Sequence, residues 1–202
     1  MLAAMSDNTN ASVTPRSPEL LSRHRCGLLV VDVQEKLLGS IEGGRRVVWN
    51  IGRLLDAARL MGVPIIGTEQ YPQGLGPTVE ELRDRVGACA VKRTFSCGGC
   101  AGLLDAWVER SIDQVLVVGI EAHVCVLQTV MDLMHAGFRV YVPVDAVGSR
   151  SVQDRETALR RMEGGGATLV STESVMFEWC ETSAAAEFKA ISSLVRQLPP
   201  AD

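Results

Sequence analysis

No apolar run in this chain approaches the roughly 20 residues that a membrane-spanning helix requires, so a helical membrane protein is not expected. Basic charge is not in excess either. Twenty Lys and Arg against 24 Asp and Glu leave a formal net charge of −4, whereas a nucleic-acid partner calls for a basic face. The amino terminus, MLAAMSDNTNASVTPRSPELL, lacks the basic-then-apolar order of a secretory leader. Residues 1–24 therefore read as a disordered polar arm and the chain as cytoplasmic. Six cysteines without a leader then read as free thiols in a reducing compartment. What is present is ordinary for a globular protein: 202 residues, 47% hydrophobic and 22% charged. That fits one domain with a real core, over residues 25–198.

The domain is organised around Val115 to Val130, VLVVGIEAHVCVLQTV. An apolar, β-branched run with the character of a buried strand breaks at Gly119 and resumes as a helical pattern with Cys125 in or near its first turn. Backbone N–H groups and the positive end of the macrodipole favour a thiolate there. Taken alone, such a cysteine more often serves as a small buried apolar residue. CGLLVVDV (Cys26 to Val33) reads as the first strand, with Asp32 near its end and too far from the helix after Gly43-Gly44 to cap it. A carboxylate closing a buried strand is costly unless paired. A helix over about Arg45 to Met61 follows, then a strand at VPIIGT (Val63 to Thr68), then a turn-rich loop, Glu69 to Thr78, from which Tyr71 projects. Cys89 to Val91 is a short third strand, followed directly by Lys92.

Further strands are expected at Phe138 to Val144, ending at Asp145, and at Ala167 to Val170. Between them Ser151 and Asp154 resemble a capping box that opens a helix. The helix bearing Cys125 is apolar around most of its circumference, which favours contact with another subunit and a homo-oligomer. About six alternations of strand and helix predict a three-layer α/β/α sandwich with a mostly parallel six-stranded sheet. Ligands bind beyond the carboxyl ends of such strands. Asp32, Glu69, Lys92, Cys125 and Asp145 each fall at or just past a different strand end, so they can meet at one rim. An acid, an amine and a thiol brought together there suit acyl transfer through a thioester, with Asp32 taking the thiol proton and Lys92 holding the negative charge.

Three segments in order, VVDVQEK (Val30 to Lys36), VKRTFS (Val91 to Ser96) and VVGIEAHVCV (Val117 to Val126), resemble the isochorismatase-like cysteine hydrolases, which include nicotinamidases and other small amidohydrolases. The likeness covers roughly Cys26 to Trp179. TEQYPQGLGPT (Thr68 to Thr78) is similar to the subgroup of isochorismatase domain-containing proteins. The resemblance implies a catalytic triad of Asp32, Lys92 and Cys125, and a cis peptide between Ile120 and Glu121. It further implies an oxyanion hole from the N–H groups of Glu121 and Cys125. Glu69, Tyr71 and Phe177 are candidates to line a pocket for a small-molecule substrate. In nicotinamidases an Asp and several His hold a metal after the second strand. This chain has no histidine in that stretch, its three being His24, His123 and His135, so no metal and no cofactor are expected. His123, two residues before Cys125, reads as a pocket or surface residue.

Two competing readings come from other classes. CGGC (Cys97 to Cys100) has the C-x-x-C spacing of thiol redox centres and of half a zinc site. No second ligand pair is evident and no convincing strand precedes it, so small residues packing under the rim fit better. A non-catalytic scaffold that keeps the triad letters by descent is the other.

Overall fold

A computed structural model describes residues 14–100 and 102–200. Its core is a parallel sheet, built where the sequence runs apolar. β1 (Cys26–Val31) is buried throughout, and α1 (Glu35–Leu38) and α2 (Gly44–Met61) follow it. β2 (Ile65–Gln70), α3 (Pro72–Leu75), α4 (Glu80–Val86) and β3 (Cys89–Lys92) form the next stretch. α5 (Asp105–Glu109) leads into β4 (Gln114–Ile120) and α6 (Leu127–His135). β5 (Arg139–Pro143), β6 (Val147–Gly148), α7 (Val152–Gly164), β7 (Thr168–Val170), α8 (Thr172–Cys180) and α9 (Phe188–Val195) complete the chain.

The strand order is β3-β2-β1-β4-β5-β7, every pair parallel, with two-residue β6 alongside the end of β4. Side chains alternate across it as the pleat requires. Leu28, Val30, Leu116 and Val118 face α2, α4, α8 and α9, while Leu29, Val31, Val115 and Val117 face α5, α6 and α7. This is the expected three-layer α/β/α sandwich with six core strands. Chain order reverses direction between the adjacent strands β1 and β4, the place where an open parallel sheet leaves a crevice at its carboxyl edge.

Several elements differ from the sequence expectation. β4 does not stop at Gly119: the strand continues to Ile120. Gly119 is required by close approach, because a Cβ there would lie 2.1 Å from the Val31 carbonyl oxygen, and its φ is +127°. The segment read as a loop after Thr68 contains the end of β2 and the turn of α3. The α4 helix carries only two buried apolar residues, Leu82 and Val86, too few to mark a period. Ser151 does cap α7, accepting the Asp154 N–H, whereas α8 is capped by Ser171 in a reciprocal box with Ser174.

Residues 1–13 of the expected arm lie outside the described residues. From Arg16 onward the segment is docked, because its polar groups find partners on the domain. Arg16 donates to the Glu178 carbonyl, Gln114 Nε2 donates to the Pro18 and Leu20 carbonyls, and Leu21 is fully buried. Much of the apolar surface of α6 packs within the chain. Val130 and Leu133 enter the core, and Met131 packs against Gly165 at the end of α7. No helix among the described residues is long and apolar enough to cross a membrane.

Candidate active site

Asp32 follows β1 directly, in a left-handed conformation (φ 52°) that is uncommon outside glycine and turns the chain at the strand end. Its side chain is buried under the rim. Lys92, the last residue of β3, brings its ammonium 2.6 Å from Asp32 Oδ2, both side chains being out of water. The same Nζ donates to Gln70 Oε1 (2.8 Å) and to the carbonyls of Phe95 (2.9 Å) and Thr94 (3.2 Å). Oδ1 of Asp32 accepts the Thr68 hydroxyl at 2.8 Å. Oδ2 faces the ammonium but receives no hydrogen bond of ordinary directional geometry, which leaves it acceptor capacity.

Cys125 sits in a π-helical turn, Ala122–Val126, between β4 and α6 rather than in a regular first helical turn. The Val126 N–H reaches back to the Glu121 carbonyl at 3.2 Å, the five-residue bond that widens such a turn. Cys125 is 6% exposed, and the charges of Asp32 and Lys92 both act on its thiol. Burial, with the Asp32 charge adding to it, pushes the thiol up to about 12, and Lys92 only partly opposes this. That reverses the sequence expectation of a thiolate. The helix start was the visible feature, but loss of water and a neighbouring carboxylate outweigh it.

The Ile120–Glu121 peptide is cis. The Glu121 carboxylate accepts from the backbone N–H and Nε of Arg150, and His123 Nδ1 lies 3.0 Å from Ser149 Oγ. These contacts tie the turn to the chain leaving β6 and engage His123 Nδ1 with Ser149.

The other candidates at the rim separate. Glu69 accepts the Thr78 N–H (2.6 Å) and hydroxyl (2.8 Å), so it closes its own loop in the stretch where nicotinamidases were expected to hold metal. No group of three or more His, Cys, Asp or Glu side chains placed to hold a metal occurs among the described residues. Asp145 shares the rim but accepts the Thr172 N–H and hydroxyl at 2.9 Å, fixing the start of α8. Tyr71 is exposed, its ring beside Gly74 and under the Arg93 guanidinium, which lies 4.1 Å from the ring centre. Phe177 lies on α8, in the layer opposite Cys125, half exposed.

Cys97 and Cys100 are both free thiols. Cys97 is buried, its sulfur 3.6 Å from Thr68 Oγ1 and its N–H bonded to Thr129, one turn beyond Cys125. Burial pushes its thiol up to about 11, the opposite of what a redox cysteine needs. The glycines between them pack close: a Cβ on Gly99 would meet Thr94 Oγ1 at 2.5 Å. Sequence reasoning missed Thr68, Gln34 and Gln70. Gln34, fully buried, donates to the Gln70 and Gly76 carbonyls and accepts the Gln70 N–H, so it locks the loop that holds Lys92 in place. Its position two residues after Asp32, inside VVDVQEK, was the available signal.

The family model for the isochorismatase domain matches residues 26–174. Isochorismatase domain-containing protein 2A of Mus musculus is 39% identical over 179 residues, which cover 86% of this chain and 84% of the relative. The solved structure of a MAR1 ribonuclease from Caenorhabditis elegans is similar at a TM-score of 0.84 and 37% identity, over 90% of this chain and 95% of that one. YcaC from Pseudomonas aeruginosa, solved with hexane-2,5-diol and covalent acrylamide, is similar at 0.81 and 26%, over 89% and 93%.

Proposed function

The chain belongs to the isochorismatase-like cysteine hydrolases, and on that premise we propose that it cleaves a small amide through a thioester on Cys125. The observation that carries this reading is the buried Asp32 carboxylate, ion-paired with Lys92 at 2.6 Å, with the charges of both acting on the buried Cys125 thiol. Asp32 takes the thiol proton as Sγ attacks the carbonyl carbon, so the thiolate forms only in the presence of an electrophile. The N–H groups of Glu121 and Cys125 receive the oxyanion. One such donor is typically worth about 3 kcal/mol of barrier. Protonated Asp32 then gives its proton to the departing nitrogen, the amine leaves, and the thioester remains. Water, deprotonated by the same carboxylate, attacks the thioester and releases the acid. Lys92 keeps one positive charge against the site throughout. Tyr71, held between Gly74 and Arg93, forms part of the entrance.

That a relative is described with covalent acrylamide supports an electrophile of amide size. The experiment is intact-mass analysis of the protein with acrylamide and a panel of small amides, followed by peptide mapping. The expected result is an adduct on Cys125, formed faster than on Cys26 or Cys180 and lost in Asp32→Asn. Equal labelling of the three cysteines would overturn the reading. A second reading, RNA cleavage, is prompted by the relative described as a ribonuclease. It is opposed by the net charge of −4, and the panel should include a single-stranded RNA whose breakdown would favour it.

A further inference from the structure

Among the described residues Arg53 is a buried cation without an ion-pair partner. On α2 and 7% exposed, it donates to Asn50 Oδ1 at 2.7 Å and, at 3.4 Å, to the Leu194 carbonyl. Its Nε has no hydrogen-bond partner, and no carboxylate lies within 4 Å of it among the described residues. The Trp49 ring lies 3.8 Å beneath the guanidinium carbon, a cation–π contact that offsets part of the cost of burial. Burial pulls the guanidinium down, and the charges of Asp145 and Glu173 oppose that. An unpaired buried charge of this kind is unfavourable unless something completes it.

Arg53 also lines a cavity of about 600 Å³ on the helical layer away from Cys125. Leu38, Val48 and Leu82 give it an apolar wall, and Trp49 adds an aromatic one. Three guanidiniums, Arg45, Arg53 and Arg85, face it together with two carboxylates, Asp56 and Glu81. Arg85 is already paired with Asp56 at 3.3 Å. The lining therefore carries one positive charge in excess, and Arg53 is the buried member with a donor unused. The volume is of the size that takes a small organic ligand. From this we propose a second binding site, remote from the thiol, for a small monocarboxylate with an apolar or aromatic body whose carboxylate completes Arg53. A dianionic phosphate would exceed the charge available.

The test uses 4-phenylbutanoate as probe and 4-phenylbutan-1-ol as its uncharged counterpart, on the full-length protein. Trp49 is half-buried while Trp107 and Trp179 are fully buried, so the Trp49 indole N–H signal in NMR reports the site. Saturable binding of the acid should move that signal and leave the other two in place. The alcohol should bind at least about tenfold more weakly, the discrimination of a charge-assisted bond. Arg53→Met should abolish that discrimination and, without ligand, be as stable as the parent or more so, since it removes an uncompensated charge. Equal affinity for acid and alcohol, no saturable shift of Trp49, or a clearly lower unfolding midpoint for Arg53→Met would each overturn the proposal. The last would show that the fold itself already satisfies the guanidinium.

Discussion

Replacing Lys92 by Met separates what the buried ion pair does for the fold from what it does for chemistry. Met preserves most of the side-chain volume and removes the ammonium. Asp32 is then left buried with one donor, the Thr68 hydroxyl at 2.8 Å, and with an Oδ2 that lacks the charge 2.6 Å away. Breaking such a pair by deleting one partner costs roughly 3–5 kcal/mol, most of it the penalty of the surviving charge. Gln70 Oε1 and the Thr94 and Phe95 carbonyls also lose their donor, although the latter two are in exposed residues that water can reach. Adding Asp32→Asn to Lys92→Met removes the orphaned charge but not the orphaned acceptors. The double variant should therefore recover about 2–3 kcal/mol relative to the sum of the single changes, near the upper end of measured couplings. Denaturant unfolding of the four proteins, with a common m-value, measures this directly. Mass analysis with acrylamide should show Cys125 unlabelled in all three variants, including the one whose stability returns. Additive unfolding energies would refute the reasoning. So would a double variant that still forms the adduct at the parental rate.

Three other outcomes follow from single contacts. Thr68→Val removes the one hydroxyl donor to Asp32 Oδ1 and should cost about 1–3 kcal/mol of stability; a neutral result in chemical denaturation would mean that another donor replaces it. Gly119→Ala places a methyl 2.1 Å from the Val31 backbone at a φ of +127°, and should either prevent folding or cost more than about 4 kcal/mol, whereas Gly62→Ala, with nothing near its Cβ, should cost far less. Alkaline pH should destabilise the protein. Cys26 and Cys125 are held up to about 12 by burial against an ordinary value of 9.0, so above pH 9 the unfolded chain loses protons that the native state keeps, and stability falls between about pH 9 and 12. Each thiol contributes at most about 1.4 kcal/mol per pH unit; Cys26→Ala should flatten that limb, and an unchanged slope in unfolding measured across pH would contradict the assignment.

The parts of the molecule that were legible in the sequence are those where one local property decides the outcome. β1 and β4 are unbroken apolar runs, so their burial and parallel pairing follow from hydrophobicity and from the helices between them. Asp32 stood out because a carboxylate inside such a run needs a partner, and Lys92 because it directly follows a short strand whose end shares the rim. What stayed hidden depends on who sits opposite. Glu69 and Asp145 have the same strand-end placement as Asp32, yet each is claimed by a threonine, Thr78 and Thr172, that no pattern ties to it. Phe177 lies on a helix of the layer opposite Cys125, which its position along the chain did not indicate. The thiol shows the limit most plainly. The strand-to-helix turn predicts an anion, because its dipole can be read from order along the chain, whereas the burial that raises the Cys125 thiol, and the carboxylate more than ninety residues earlier that adds to it, cannot be read that way. On the proposed mechanism Asp32 takes the thiol proton only as a substrate is attacked, and the positive end of the turn serves the oxyanion.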